Sequence, residues 1–202
     1  MTREMLFALA IGYLLGSIPF GLVLTRLAGR GDLREIGSGN IGATNVLRTG
    51  SKPLAALTLI LDCLKATAAI LIARRLFGDI DDLAGRCAGG GAMIGHLYPL
   101  WLRFKGGKGV ATFLGVLIPL FPIGAAIYAA IWLGLLLTIR ISSVSGMTAA
   151  LSAPLSAALL KPSLLPLLLG FAVLVLWKHR ENILRLRKGT EPRIGSKTSS
   201  TA

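Results

Sequence analysis

Long apolar stretches separated by short polar segments make up most of the chain up to residue 177. The hydrocarbon core of a bilayer is about 30 Å thick, and a helix needs about 20 mainly apolar residues to cross it. Stretches of this length and composition predict transmembrane helices. They occupy residues 5–27, 53–76, 83–102, 110–139, 144–160 and 164–177.

Two of these stretches contain prolines that predict a break. Pro19 lies within the first stretch and predicts a kinked helix. Residues 110–139 would form a straight helix of about 45 Å, which is long for one crossing. Pro119 and Pro122 therefore predict a short or partly re-entrant piece followed by a second helix. The sequence predicts an all-α integral membrane protein with about seven transmembrane helices, and five is the alternative count.

The composition is typical of a membrane protein. Hydrophobic residues make up 53% of the chain and charged residues 15%, whereas a soluble domain carries about 25% charged residues. Cys63 and Cys87 lie in apolar stretches, which indicates small buried side chains and no disulfide framework. We expect residues 1–188 to form a single membrane domain and the polar residues 189–202 to form a disordered tail.

Positive charge is concentrated in three polar segments. The chain holds 22 Lys and Arg against 9 Asp and Glu, a formal net charge of +13. The basic residues cluster in segments 26–52, 103–108 and 178–197, whereas Asp79, Asp81 and Asp82 form an acidic loop. Cytoplasmic loops are enriched in Lys and Arg. We therefore expect the basic segments and the C-terminus to be cytoplasmic and the N-terminus outside. Attraction to anionic lipid is one explanation of this charge, and no nucleic-acid partner is expected.

Segment 37–50 is the first of three segments that carry candidate chemistry. Its alternating glycines allow backbone N–H groups to approach an anion closely, as in phosphate-binding nests. Arg48 adds a guanidinium that can bind phosphate through two hydrogen bonds. A flexible turn with a helix cap is the alternative interpretation. The glycine and polar positions are Gly37, Ser38, Gly39, Asn40, Gly42, Thr44, Asn45 and Arg48.

Segment 105–112 is the second. Lys105 and Lys108 flank two glycines just before an apolar stretch, an arrangement suited to an anion at a helix start. It is not a Walker A loop, because Gly109 stands where that motif needs Ser or Thr. The alternative is a pair of lysines that reach from the membrane boundary into water.

Segment 179–186 is the third, directly after the last apolar stretch. His179 and Asn182 share one helix face at i, i+3 spacing. Taken alone, this segment is typical of a basic helix lying on the lipid surface.

Together these segments resemble one family, the bacterial glycerol-3-phosphate acyltransferases that use acyl phosphate (the PlsY family). The resemblance covers the chain to about Leu186 and includes residues 17–21 in the first span. Leu61, Asp62 and Lys65 in the second span also match. The segments that carry the resemblance are 37–45 with Arg48, 106–112, and 179–183 with Arg185 and Leu186.

This resemblance implies an enzyme that transfers a fatty acyl group from acyl phosphate to the sn-1 hydroxyl of glycerol 3-phosphate. The products would be 1-acyl-glycerol 3-phosphate (lysophosphatidic acid) and inorganic phosphate, in the first acylation of bacterial phospholipid synthesis. It implies a multi-pass protein of the bacterial cytoplasmic (inner) membrane, in contact with membrane lipid, with its active site on the cytoplasmic side. It also implies a functional link to an acyl-phosphate-forming enzyme and to a second acyltransferase.

The resemblance also implies roles for individual residues. The implied catalytic residues are Ser38, Arg48 and Lys108, which would hold acyl phosphate, with His179 and Asn182, which would hold glycerol 3-phosphate. Further residues would bind substrate or allow close backbone approach. They are Gly37, Gly39, Asn40, Thr44, Asn45, Lys105, Gly107 and Gly109. If the chain has seven spans, Ser142, Ser143 and Ser145 also reach the cytoplasmic face, and we choose Ser143 among them.

No strong general base is evident in the sequence. A His-x4-Asp pair is absent, because Trp101 and Leu184 stand five residues after His96 and His179. The family resemblance implies substrate assistance, in which a phosphate oxygen of the donor takes the proton of the attacking hydroxyl. No cofactor is implied, and the two His, two Cys and scattered carboxylates show no spacing that fits a metal site.

A transporter of a phosphate-bearing solute is the alternative function. Transporters usually show internal repeats and a site at mid-membrane, whereas the sequence shows no repeat and its candidate anion ligands cluster at one membrane face. Asp62 and Lys65 lie within the second span, where an unpaired charge costs at least about 2.5–3.5 kcal/mol. Their i, i+3 spacing predicts a pair, and a role in positioning the loops is the alternative.

Overall fold

The computed structural model describes residues 2–78 and 82–195. Asp79 and Asp81 of the acidic loop and residues 196–202 of the tail lie outside the described residues. Every apolar stretch identified in the sequence contains helix, which confirms the all-α architecture. The α-helices of the described residues are α1 (Arg3–Gly16), α2 (Phe20–Leu27), α3 (Ala43–Val46), α4 (Lys52–Phe77), α5 (Leu83–Leu97), α6 (Val110–Leu120), α7 (Pro122–Ile139), α8 (Ser142–Leu160), α9 (Leu165–Lys178) and α10 (Arg180–Arg187).

The two predicted proline breaks are present. Helix α1 ends at Gly16 and α2 begins at Phe20, so the first apolar stretch is interrupted around Pro19. Phe121 separates α6 from α7, because the proline ring of Pro122 cannot continue the hydrogen-bond ladder of α6. Both interruptions follow from the loss of backbone donors that proline imposes.

Four helical segments of the described chain are long and apolar enough to cross a membrane, and a fifth qualifies if the bent pair α9–α10 counts as one span. The four are Arg3–Leu27, Lys52–Phe77, Pro122–Ile139 and Ser142–Leu160. Helices α5 and α6 are shorter, about 22 Å and about 16 Å at 1.5 Å per residue, against a core of about 30 Å. A count of seven and the side on which each terminus lies therefore stay predictions.

The chain divides into two compact units, Met1–Ala125 and Ala126–Ala202. In the first unit, α1 packs against α5 through glycines of both helices. A Cβ at Gly12 would lie 2.0 Å from the carbonyl oxygen of Ala88, and a Cβ at Gly91 would lie 2.1 Å from that of Leu9. Gly16 and Gly95 repeat this contact one turn further along each helix. The two backbones therefore touch, as small-xxx-small motifs allow in membrane helices.

Helix α4 is the long central helix of the first unit. Ser51 caps its N-terminus by accepting a hydrogen bond from the backbone N–H of Leu54 at 3.4 Å, and Pro53 occupies the first turn. Helix α6 packs closely on α4, since a Cβ at Gly115 would lie 2.0 Å from the carbonyl oxygen of Cys63. Thr67 Oγ1 donates to the carbonyl oxygen of Gly115 at 2.8 Å and fixes this pair.

In the second unit, α8 presents a buried stripe of small residues that packs against α9. Leu168, Phe171 and Val175 supply the buried apolar side chains of α9. Helix α10 then turns away by 57°, so that the third basic segment leaves the line of the last apolar helix. The stripe on α8 consists of Ser145, Ala149, Ala153 and Ala157.

Candidate functional site

In the first unit, a small hydrophobic cluster fixes the segment that holds the first motif. It joins apolar side chains of α2, of α4 and of residues 33–46. Leu102, from the loop that precedes the second motif, packs against the same cluster. The first and second basic segments are therefore both packed against one hydrophobic cluster. The cluster consists of Leu22, Leu33, Ile41, Val46 and Ala55.

Asn45 holds the backbone of the first motif in place. Its buried Nδ2 donates to the carbonyl oxygens of Leu33 and Ile36, each at 2.9 Å. Its Oδ1 accepts the backbone N–H of Ser38 at 3.1 Å. The sequence predicts Asn45 among the residues that bind substrate or shape the pocket. In the structure this side chain fixes the backbone that carries Ser38.

Arg48 lies over the turn at Gly37. Gly37 has a φ of +56°, and a Cβ there would lie 2.6 Å from both Cδ and Nη1 of Arg48. Only glycine combines this left-handed conformation with so close an approach of a side chain. The guanidinium thus lies beside an exposed turn that contains Ser38, an arrangement that suits a phosphate group.

Replacing Gly37 with alanine is expected to displace the Arg48 guanidinium and to weaken binding of an anionic donor by about tenfold or more, since a hydrogen-bonded charge contributes about 1.5–3 kcal/mol. Gly31 provides the control, because its φ is +79° and no atom lies within 4 Å of its Cβ position. Gly31→Ala imposes the same backbone strain without touching Arg48. Equal donor KM values for the two variants, measured in detergent, would contradict the assignment.

Two other arginines of the first basic segment are paired with a carboxylate. Asp32 accepts hydrogen bonds from Nη2 of Arg34 at 2.6 Å and Nη2 of Arg26 at 2.7 Å. The Arg34 side chain and backbone, with a smaller contribution from Arg26, hold the pKa of Asp32 well below its usual range. These arginines therefore stabilise the loop, and Arg48 is the better ligand for a substrate anion.

The second motif lies on the end of α5. The backbone N–H of Gly107 donates to the carbonyl oxygen of His96 at 3.0 Å, and that of Gly106 to Leu97 at 3.2 Å. Gly107 and Gly109 are buried, whereas Lys105 is exposed and Lys108 half-buried. Gly109, with a φ of +89°, starts α6. The second motif therefore lies directly before the start of a helix, as its sequence predicts.

In the second unit, His179 and Asn182 lie at the junction of α9 and α10, and both side chains are buried. His179 Nδ1 lies 2.8 Å from the carbonyl oxygen of Val175. Because a carbonyl can only accept, Nδ1 carries the proton, and in the neutral ring Nε2 is the acceptor. His179 is thus anchored to its own helix, while Asn182 holds the carboxylate described next.

Glu191 is the residue of this region that the sequence analysis missed. Its Oε1 accepts hydrogen bonds from Ser143 Oγ at 2.6 Å and Asn182 Nδ2 at 2.5 Å, and its Oε2 accepts from Arg185 Nε at 2.7 Å. Glu191 lies in the stretch expected to be disordered, yet these contacts hold it in the unit. The sequence signal that could have indicated Glu191 is a single carboxylate in an otherwise basic tail, residues 189–202.

The stability that Glu191 provides is expected to depend on pH. Burial raises the pKa of Glu191, but the hydrogen bonds from Ser143, Asn182 and Arg185 together hold it below its ordinary 4.5. As pH falls, the unfolded chain therefore binds the proton first. The stabilisation is present at pH values above the ordinary pKa of this carboxyl. It is lost as the pH falls through the lower pKa that the carboxyl has in the folded protein.

Glu191→Gln tests this dependence. The variant is expected to lose about 2 kcal/mol at neutral pH. Between about pH 6 and about pH 3.5 its thermal midpoint should fall less than that of the unchanged protein. Parallel midpoint curves for the two proteins, recorded in detergent, would contradict the expectation.

The remaining predicted residues take several positions. Asn40 Oδ1 accepts the backbone N–H of Gly42 at 2.9 Å and so stabilises its own turn. Thr44 is exposed near that turn, and Ser143 lies beside Asn182 through Glu191. Gly39, with a φ of +65°, follows Ser38 in the exposed turn. Within residues 2–78 and 82–195, no three His, Cys, Asp or Glu side chains are grouped as a metal site requires.

Comparison with known proteins identifies the family of the whole chain. The sequence model of the family described as glycerol-3-phosphate acyltransferase matches residues 6–189. A protein of Allorhizobium ampelinum named glycerol-3-phosphate acyltransferase is 54% identical over 192 residues, which cover 94% of this chain and 92% of the relative. A protein of the same name from Brucella ovis is 57% identical over 191 residues, covering 94% of this chain and 93% of the relative.

Two solved structures are also similar. One is the crystal structure of PlsY (YgiH), an integral membrane glycerol 3-phosphate acyltransferase, in its glycerol 3-phosphate form. It has a TM-score of 0.86 and 43% identity, covering 95% of this chain and 96% of that one. Its lysophosphatidic acid form has a TM-score of 0.83 and 41% identity, covering 95% of each chain. The chain is therefore a multi-pass membrane protein that belongs to the glycerol-3-phosphate acyltransferase family.

Proposed function

We propose that this protein transfers a fatty acyl group from acyl phosphate to the sn-1 hydroxyl of glycerol 3-phosphate. The products are 1-acyl-glycerol 3-phosphate and inorganic phosphate. The observation that carries this proposal is the guanidinium of Arg48 held over the Gly37–Ser38 turn, in a chain whose solved relative is described in a glycerol 3-phosphate form.

The donor phosphate binds to residues of the first unit. Arg48 supplies two parallel donors, which match the geometry of a phosphate. Ser38 adds a hydroxyl, and Lys108 with Lys105 adds positive charge at the start of α6. The fatty chain lies in the bilayer, next to the exposed apolar side chains of the helices.

Glycerol 3-phosphate binds to residues of the second unit. His179, whose Nδ1 donates to the carbonyl oxygen of Val175, contacts glycerol 3-phosphate through its imidazole. Asn182 is fixed by Glu191, so its position is set before the substrate arrives. Ser143, held by the same carboxylate, contributes a hydroxyl.

The transfer step needs no protein base. The sn-1 oxygen attacks the acyl carbonyl carbon and forms the ester, while the bond from that carbon to the phosphate oxygen breaks. A phosphate oxygen takes the hydroxyl proton, and inorganic phosphate leaves. The protein contributes orientation of the two substrates and stabilisation of the charge on the leaving phosphate. The site lies on the cytoplasmic side of the bacterial inner membrane, where an acyl-phosphate-forming enzyme supplies the donor and a second acyltransferase uses the product.

Phosphate release by the detergent-purified protein tests this function. Palmitoyl phosphate and glycerol 3-phosphate are supplied together and singly. Palmitoyl-coenzyme A serves as a parallel donor, and release of the coenzyme A thiol is measured for it because that transfer releases no phosphate. We expect release that requires both substrates and a coenzyme A donor that is inert. Release without glycerol 3-phosphate, or equal transfer from coenzyme A, would overturn the proposal.

A further inference from the structure

The buried charges of α4 form a cluster that reaches the second motif. Lys65 is 5% exposed, and its Nζ donates to the carbonyl oxygen of Ile18 at 2.8 Å and to Oδ1 of Asp62 at 2.6 Å. Nζ also lies 2.9 Å from Nδ1 of His96. An ammonium has three N–H donors, and these three acceptors use all of them. The predicted pairing of Asp62 with Lys65 is confirmed, and His96 extends it to α5.

The contact with Lys65 fixes the orientation and tautomer of His96. Because the ammonium can only donate, Nδ1 accepts and Nε2 carries the proton. Nε2 faces the second motif, since a Cβ at Gly107 would lie 2.2 Å from it. The backbone carbonyl of His96 also accepts the N–H of Gly107 at 3.0 Å. The backbone at Gly107 therefore lies directly against the imidazole that Lys65 contacts.

The loop that leads to the second motif also contacts the break between α1 and α2. Trp101 Nε1 donates to the carbonyl oxygen of Ser17 at 2.8 Å. Ser17 and Ile18 lie in the break between α1 and α2, next to Pro19. Both carbonyls accept from groups that support the loop containing the second motif. The proline break thus connects the first span to that loop.

We propose that Lys65 and His96 are positioning residues that hold the segment 105–109 in the geometry needed to bind the donor phosphate. This inference rests on the proposed function, in which Lys105 and Lys108 bind that phosphate. Charged groups within a span are costly and mark functional sites. This cluster lies beneath the glycine-rich loop that carries Lys105 and Lys108. An apolar contact between α4 and α5 would provide packing without fixing the direction of the imidazole.

Two substitutions of His96 separate its two contacts. His96→Phe keeps a ring beneath Gly107 but removes the acceptor for Lys65. His96→Asn keeps an oxygen near the position of Nδ1 but removes the ring from Gly107. Both variants are expected to raise the KM for palmitoyl phosphate by about tenfold to a hundredfold, the loss expected for a hydrogen bond to a charged group. The KM for glycerol 3-phosphate should change less than about threefold.

Thr67→Val is the matched control, because it removes a single hydrogen bond between α4 and α6 in the same unit. It should lower the thermal midpoint without a selective change in donor KM. If Thr67→Val raises the donor KM as strongly as His96→Phe does, the effect is general loosening and the positioning role is wrong. Unchanged donor KM in both His96 variants would also overturn it.

Hydrogen exchange provides a readout that does not depend on catalysis. The amide protons of Gly106 and Gly107 should exchange about tenfold faster in His96→Phe and in the double variant Asp62→Asn/Lys65→Met, at thermal midpoints close to that of Thr67→Val. The double variant removes both charges together and so avoids an unpaired buried ion. Unchanged exchange at these glycines in both proteins would refute the positioning role, even if the acyltransferase assay gives no activity. Faster amide exchange in these variants, together with no acyltransferase activity in the protein without substitutions, would instead reject only the proposed function.

Discussion

Replacing Arg48 with alanine is expected to lower kcat/KM for acyl phosphate by about a hundredfold to a thousandfold, the usual cost of removing one group that stabilises transition-state charge. The guanidinium lies over the Gly37–Ser38 turn, and in the proposed reaction its positive charge faces the phosphate that becomes the leaving group. Because that phosphate gains charge as the acyl bond breaks, the loss should appear in kcat as well as in KM.

Two further variants define what Arg48 contributes. Arg48→Lys keeps the charge but loses the planar pair of donors, so its activity should lie between those of the unchanged protein and Arg48→Ala. Arg30→Ala removes an exposed arginine of the same basic segment and should leave kcat/KM within about twofold, as surface substitutions usually do. A kcat/KM for Arg48→Ala close to that of Arg30→Ala would contradict the assignment.

Gly91→Ala is expected to reduce the yield of folded protein severely. The added Cβ would lie 2.1 Å from the backbone oxygen of Leu9, and a backbone cannot move aside as a side chain can. Helices α1 and α5 would have to separate, which also disturbs Tyr13 and the neighbouring contact at Gly95. We expect a destabilisation of about 3 kcal/mol or more, measured as a lower thermal midpoint and as aggregation in size-exclusion chromatography.

Gly90→Ala is the control for this prediction. Gly90 is the neighbouring residue of the same helix, and no atom lies within 4 Å of its Cβ position. Both substitutions raise helix propensity equally, by about 1 kcal/mol, so a difference between them reports the contact with α1 alone. Equal thermal midpoints would show that the glycine contact does not hold the two helices together.

The helices and their breaks could be predicted because local sequence determines them. Apolar length predicts where each helix lies, and the missing N–H of a proline predicts the interruptions at Pro19 and Phe121. The arrangement of the second motif at a helix start is likewise local, since Gly109 directly precedes α6. Helix length does not settle the number of spans, because α5 and α6 are shorter than the bilayer core.

The supporting contacts of the site could not be predicted because they join residues far apart in the chain. Glu191 reaches Ser143 across 48 positions, and Lys65 reaches His96 across 31. Contacts between residues so far apart in the chain leave no periodic pattern in the sequence. Asn45 illustrates the same limit, since its residue type suggests a substrate ligand but its hydrogen bonds go to Leu33, Ile36 and Ser38 of its own segment.

The pairing of Asp62 with Lys65 has a consequence for how the protein is made. Helix α4 precedes α5 in the chain, so its charges can pair with each other before α5 packs against it. Because the carboxylate and the ammonium lie three residues apart on one helix face and contact each other at 2.6 Å, α4 carries its own neutralising partner during insertion. The translocation machinery therefore handles one internally compensated helix in place of two separate buried charges. His96 is added later as the third acceptor.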